Sequence, residues 1–422
     1  MDFRPLRHPD IRRLWLGLFI SRIGSAATFI AVPFHVYERT GSSLIVGLLG
    51  LAEAVPLVFS ALVGGALADA LDRRRLIIGG ELSLMLGALA LAVIGTSDRV
   101  PVPAIFAVVV LLSIIDGIQR PALEASFARI VTHDEVGALA RLNQLRWSTA
   151  FLVGMLIGGV LIDVFGVTAV YLVDAATVLP ALALFLGVVS TPRRENTEPI
   201  GPGSIRTGLR YAWSRQELLG TYVVDVVATF FGMPLALLPA FSKQFGDARA
   251  YGLLSAAPVI GAGLASLTTG WVVRVHRHGR AISLAAVAWG AGVVGMGLSP
   301  TLLIAFGCFV FAGAADAVSG VFRQTIWNQT IPDDVRGRMA GIEMVSYSIG
   351  PTLGGVESGV AARLFGVTGG IVSGGVACSV GSLAVGRGLR DFWCYDDRTN
   401  PSALAERERR AAATRAAATS PT

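Results

Sequence analysis

Charged side chains set deep inside long apolar runs are the residues of this sequence best placed to do chemistry. Arg22, Glu53, Asp225 and Asp316 each stand several residues into such a run. An ion placed in lipid costs about 2.5–3.5 kcal/mol on insertion scales, so each marks either a transport pathway or a buried pair. A carboxylate at that depth can bind a proton or meet a cationic group, and a guanidinium can hold an anionic one. The plainer reading, an Arg–carboxylate pair that ties helices together, stays open for Arg22, Glu53 and Asp225. Asp116, Arg120 and Glu124 follow one another at i, i+4 and i+8, which places them on one helix face where they can pair along the helix. Glu81, Asp174, Glu343, Glu357 and Arg146 are further intramembrane or near-interface charges, for which helix-to-helix pairing is the expectation.

A second cluster lies where the chain must reverse. Gly64, Gly65 and Asp69 close one apolar run, and Asp72, Arg73, Arg74 and Arg75 open the next. Small residues let two helix ends approach, and the charges fall at one membrane face. A weaker copy, with Arg274, His276, Arg277, His278 and Arg280, begins at Gly270. Arg274 stands there where an acid is expected, so the copy cannot form an equivalent acid–base latch.

These residues need apolar helices to position them, and the composition supplies those. The chain has 53% hydrophobic and 15% charged residues and a mean hydropathy of +0.63. A soluble domain averages about 25% charged residues, so the solvent of this protein is the bilayer. A spanning helix needs roughly 20 apolar residues. Apolar runs fall at roughly 12–36, 44–69, 75–95, 102–123, 143–163 and 168–190, then at roughly 218–242, 250–272, 280–298, 300–322, 341–363 and 367–389. The predicted domains are 1–190, a six-helix bundle; 191–217, a Pro/Gly-rich linker with a surface helix over Arg206–Arg215; 218–395, a second six-helix bundle; and 396–422, a partly disordered tail. The first apolar run is longer than a signal-peptide core and is expected to be retained.

The two sixes match each other. At a constant shift of 200, Asp116 meets Asp316, Asp134 meets Asp334, Gly154 meets Gly354, and Phe165-Gly-Val-Thr168 meets Phe365-Gly-Val-Thr368. An even number of spans per half gives both repeats the same orientation, the parallel plan that holds a substrate near the membrane midplane. Arginines concentrate in the connections after even-numbered spans and near the termini, which predicts that both termini and the linker are cytoplasmic. The same distribution accounts for the net charge of +6 without nucleic acid.

The Gly64–Arg75 hairpin resembles the signature loop between the second and third helices of the major facilitator superfamily, and the resemblance extends over about residues 8 to 395. Several stretches are most similar to its enterobactin exporter family: Phe19-Ile-Ser-Arg22, Ala31-Val-Pro33, Ile115-Asp116-Gly117, the run Gly252 to Gly263, and Leu389-Arg-Asp-Phe392. Asp72 departs from the pattern, since many members carry glycine there. The resemblance implies an all-α membrane protein of twelve transmembrane helices in two parallel-repeat six-helix bundles. It also implies a gate in which Gly65, Asp69, Arg73 and Arg74 meet the end of the fourth helix near Asp116 and Arg120. Arg22, Glu53, Asp225 and Asp316 are the expected substrate or proton pathway.

No catalytic constellation is present. His276 and His278 have ligand-like spacing, but the arginines around them repel a cation, and no GxxxxGK[ST] motif exists for nucleotide hydrolysis. Cys308, Cys378 and Cys394 are too scattered for a disulfide framework. No enzyme activity, cofactor or metal is expected. The leading expectation is a monomeric, multi-pass protein of the cell inner membrane that uses protons as coupling ion to export a small organic substrate. The resemblance makes that substrate a catecholate-type siderophore, with Glu53, Asp225 and Asp116 in that order as protonation sites. A multidrug or macrolide effluxer of the same fold is the alternative, and a non-transporting receptor or assembly factor is a third class.

Overall fold

The computed structural model describes residues 2–131, 133–188, 213, 215–246 and 248–419. Six helices make up the first half: α1 (Pro9–Thr40), α2 (Ser43–Ala70), α3 (Arg73–Gly95), α4 (Val102–Ile130), α5 (Val136–Phe165) and α6 (Val167–Leu186). The second half has α7 (Gln216–Gly232), α8 (Ala248–Thr268), α9 (His278–Gly297) and α10 (Leu302–Thr330), then one continuous run, Asp333–Gly388. Eleven helices among the described residues are long and apolar enough to cross a membrane, the last being the 40 residues Ile349–Gly388. At 1.5 Å per residue such a helix would be about 60 Å long, twice the hydrocarbon core. It does not stay straight: Gly366 breaks it with φ 75° and ψ 169°, giving α11 (333–365) and α12 (367–388). The crossings therefore number twelve, as the apolar runs predict.

The repeat is visible in the backbone. The bounds of α4, Val102–Ile130, and of α10, Leu302–Thr330, differ by the same 200 residues that align the sequences. Gly166, between α5 and α6, has φ 78° and ψ 172°, almost the values at Gly366. That positive φ is open to glycine and costly for other residues, so the shared Phe-Gly-Val-Thr tetrapeptide encodes the same tight reversal twice.

Burial follows the logic of lipid. Phe59 is 67% exposed and Leu303 79% exposed along their spans, whereas Glu81, Gln119, Asp174, Asp225 and Arg323 are buried. Apolar side chains face the hydrocarbon, and polar ones find partners between helices.

By contacts the chain forms two compact units, Met1–Pro199 with Leu235–Ala256, and Ile200–Pro234 with Ala257–Thr422. Within the first unit, Arg249 pairs with Asp163 at 2.6 Å, Tyr251 stacks on Phe34, and Lys243 sits 5.2 Å from the Tyr37 ring centroid. Arg39, near the end of α1, donates to the carbonyls of Ile94, Ser97, Asp98 and Val100 around the α3–α4 turn. One guanidinium thus satisfies the orphan carbonyls of a helix end. Arg39→Ala is expected to lower stability by about 2–3 kcal/mol, and Arg39→Lys to recover only part, because one ammonium cannot span four carbonyls. Thermal unfolding of the purified protein checks this.

The tail differs from the sequence expectation. Pro401–Thr419 is a helix, α13. Asn400 accepts from the amides of Ser402 and Ala403, which caps its start, and Glu406 pairs with Arg410 one turn on. Arg410 also donates to the Asn328 carbonyl of α10 at 2.8 Å, and Ala403 is buried. An Asn-Pro start followed by Ala, Glu and Arg favours helix without any apolar stripe, so low hydropathy did not mean disorder. The linker and its surface helix fall mostly within 189–212, outside the described residues.

Candidate functional site

In the first unit, Arg22 of α1 reaches Asp116 of α4 at 2.8 Å. The spacing on α4 lets Asp116, Arg120 and Glu124 pair along the helix. Arg120 pairs with Glu124 at 3.4 Å, as that spacing allows, and Asp116 takes Arg22. The cross-helix pair is the less exposed of the two, since the Arg120 and Glu124 side chains are 56% and 72% exposed. The Arg22–Asp116 pair is nevertheless open, with side-chain exposures of 30% and 26%. A guanidinium in that state keeps donors for an arriving anion.

The second unit holds a related cluster with the charges exchanged. Asp225 of α7 accepts from Arg323 of α10 and from Ser346 of α11 at 2.9 Å. Arg323 also lies 3.5 Å from Asp316, the repeat partner of Asp116. In one half the cation is on the first helix and the anion on the fourth; in the other the first helix brings the anion and the fourth the cation. Asp225 and Arg323 are both buried, while the Asp316 side chain is 46% exposed. Arg323 stands seven residues after Asp316, two helical turns along one face, and that spacing was the signal for its role. Ser346 had no such signal.

Glu53 on α2 is partly buried and makes no hydrogen bond or ion pair with any described residue. Of the loop, Asp72 is the N-cap of α3 and accepts from the Arg75 amide at 3.1 Å. This gives the departure from glycine a local reason. Arg74 donates to the Leu186 carbonyl and Arg13 to the Gly187 carbonyl, both at 2.5 Å. Two guanidinium groups thereby meet the negative end of the α6 dipole. Arg73 is partly buried at the start of α3. The side chains of Gly65 and Asp69 lie outside the described residues. His276 bonds Asp397 through Nδ1 at 2.9 Å, and His278 bonds the Val275 carbonyl through Nε2 at 2.9 Å, so the two rings turn to separate neighbours.

Twelve apolar crossings in two sequence repeats of six, each with an Arg–carboxylate pair between its first and fourth helices, are the plan of a secondary transporter of the major facilitator class. The profile of the transmembrane secretion effector family matches residues 1–393. The chain belongs to that family, and it is a membrane transporter and not an enzyme. It is 26% identical over 386 residues to the enterobactin exporter EntS of Citrobacter koseri, covering 89% of this chain and 91% of that protein. It is 25% identical over 356 residues to the enterobactin exporter EntS of Shigella boydii, covering 82% and 84%. Among solved structures, the nucleoside transporter NupG superposes with a TM-score of 0.68 at 14% identity, over 91% of this chain and 99% of that one. A bacterial homolog of the human lysosomal transporter Spinster, inward-facing and unoccupied, gives 0.66 at 15%, over 94% and 96%. At such identities the structures speak to the fold alone.

Proposed function

We propose that this transporter is a proton-driven exporter of a small acidic organic molecule, with a catecholate siderophore as the cargo. The observation that carries this reading is the half-open Arg22–Asp116 pair. Catecholates and carboxylates are anions able to compete for the guanidinium of Arg22, and a second charged cluster at Asp225, Arg323 and Asp316 offers groups that exchange partners as the cargo moves. The naming of its relatives as enterobactin exporters points to the same chemistry. Glu53, with no partner among the described residues, is the first protonation site. Asp225 and Asp116 follow, since each must leave an arginine to take a proton.

In this reading residues 1–190 and 218–395 are the two moving bundles of a monomer, 191–217 joins them, and 396–422 is a cytoplasmic tail. Both termini face the cytoplasm of the inner membrane, and Arg13 and Arg74, which cap α6, belong to that positively charged face. Gly65, Asp69, Arg73 and Arg74 close the cytoplasmic side near Asp116 and Arg120. The test is deletion of the gene under iron limitation. Secreted siderophore is expected to fall several-fold and to return on complementation, and in proteoliposomes an imposed proton gradient is expected to drive its flux. Unchanged secretion would remove the siderophore, and flux indifferent to the gradient would remove the proton.

A further inference from the structure

α1 carries a polar seam facing the inside of its own bundle. Ser21, Ser25 and Thr28 stand at i, i+4 and i+7, on one face of the helix. Ser21 donates to Glu81 of α3 at 2.8 Å, and Gln119 of α4 donates to the other oxygen of that carboxylate at 3.1 Å. Further along, Thr28 donates to Asp174 of α6 at 2.7 Å, and Ser25 to its second oxygen at 3.4 Å. Glu81 is 1% exposed and Asp174 7%. Neither has an ion-pair partner among the described residues.

The charged groups around them are otherwise engaged. Arg22, on α1, is bonded to Asp116 of α4. His35, two turns beyond Thr28, bonds the Tyr171 hydroxyl of α6 at 3.2 Å. Asp163, at the far end of α5, is held by Arg249. With Asp116, Glu81 and Asp174 all ionised, three negative charges would face Arg22 and, on α5, Arg146, whose guanidinium lies over the Phe127 ring, in a water-poor bundle. Neutral hydroxyl and amide donors do not offset the loss of hydration of a full charge, and a proton does. The hydrogen count agrees: the Gln119 Oε1 atom is a buried acceptor with no donor, beside the Glu81 carboxylate. This surplus of acceptors lies at the Glu81 end of the seam, while each Asp174 oxygen has one hydroxyl donor. Packing also argues for the smallest cation. A Cβ on Gly24 would stand 2.8 Å from the Asp174 Cα and would collide with the Thr177 hydroxyl, so α1 and α6 meet too closely for a hydrated ion.

We infer that Asp174 is a proton-binding site of the first bundle, with Glu81 as its neighbour along the α1 hydroxyl seam and separate from the Arg22–Asp116 pair. Taking up a proton turns one Asp174 oxygen from acceptor into donor, so the hydroxyl on that oxygen, Thr28 on Oδ2 or Ser25 on Oδ1, must reorient. The α1–α6 contact then differs between the two protonation states. Use of this site in coupling rests on the proton-driven reading above; the protonation itself does not.

The experiment is infrared difference spectroscopy of the full chain in lipid nanodiscs through an acid step. The carbonyl band of carboxylic acids is expected to rise, to lose one component in Asp174→Asn, and to have that component change frequency in Thr28→Val, because the stretch follows its hydrogen bonds. No band, or one indifferent to Asp174→Asn, overturns the proposal. A band abolished by sodium in place of potassium also overturns it, assigning the carboxylate to the metal ion. If the band behaves as expected but flux of the wild-type chain ignores a proton gradient, the site stands and the coupling reading falls.

Discussion

Arg323→Met is expected to destabilise the protein by about 3–5 kcal/mol, the range for breaking a buried pair from one side. Asp225 would keep its charge with only the Ser346 hydroxyl donating to it at 2.9 Å, deep between α7, α10 and α11. Asp225→Asn should cost less, about 1–3 kcal/mol, because Arg323 retains Asp316 at 3.5 Å. The double variant removes both buried charges at once, so its loss should fall well below the sum of the two singles. That coupling is the diagnostic, since residues in one network do not add. Thermal unfolding of the four proteins in detergent reads it directly. An Arg323→Met protein within about half a kcal/mol of wild type would mean that Asp225 is already uncharged, and the pair would have to be redrawn.

The asymmetry between the two halves explains which parts of the site were legible in the sequence. Crossings announce themselves because lipid demands roughly 20 apolar residues in a row, and the repeat does so because α4 and α10 kept their register. The reversal at Gly166 and Gly366 was written in four identical residues. Pairing between charges was not written in this way. Asp116 finds Arg22, 94 positions away, in preference to Arg120 one turn along its own helix. Local spacing shows which groups share a face, while the identity of the partner depends on which helix packs there. Glu81 and Asp174 looked like generic ties between helices. Their partners proved to be hydroxyls on α1 and, for Glu81, the Gln119 amide of α4, and such neutral side chains in an apolar helix carry little signal of their own. The tail helix escaped for the opposite reason: its Asn400 cap is legible, but a helix without an apolar stripe carries no hydrophobic period.

Arg22 offers the sharper test of function. Arg22→Gln should weaken cargo binding and export about 10- to 100-fold, the equivalent of one or two hydrogen bonds to a charged group. The expected stability loss is small, about 1 kcal/mol, because the pair lies open to whatever fills the site, with exposures of 30% and 26%. Loss of export with the fold retained would separate Arg22 from Arg323, which sits in a closed cluster. The exchange variant, Arg22→Asp with Asp116→Arg, goes further. It restores an ion pair between α1 and α4 and with it the helix contact, but moves the guanidinium to α4. If the pair only ties the helices, export returns with stability. If an anionic cargo must meet a guanidinium on α1, stability returns and export does not. The second half already contains that exchanged arrangement, with Asp225 on its first helix and Arg323 on its fourth. One six-helix plan therefore carries both polarities, and what the exchange variant measures is whether the first half can do without its own.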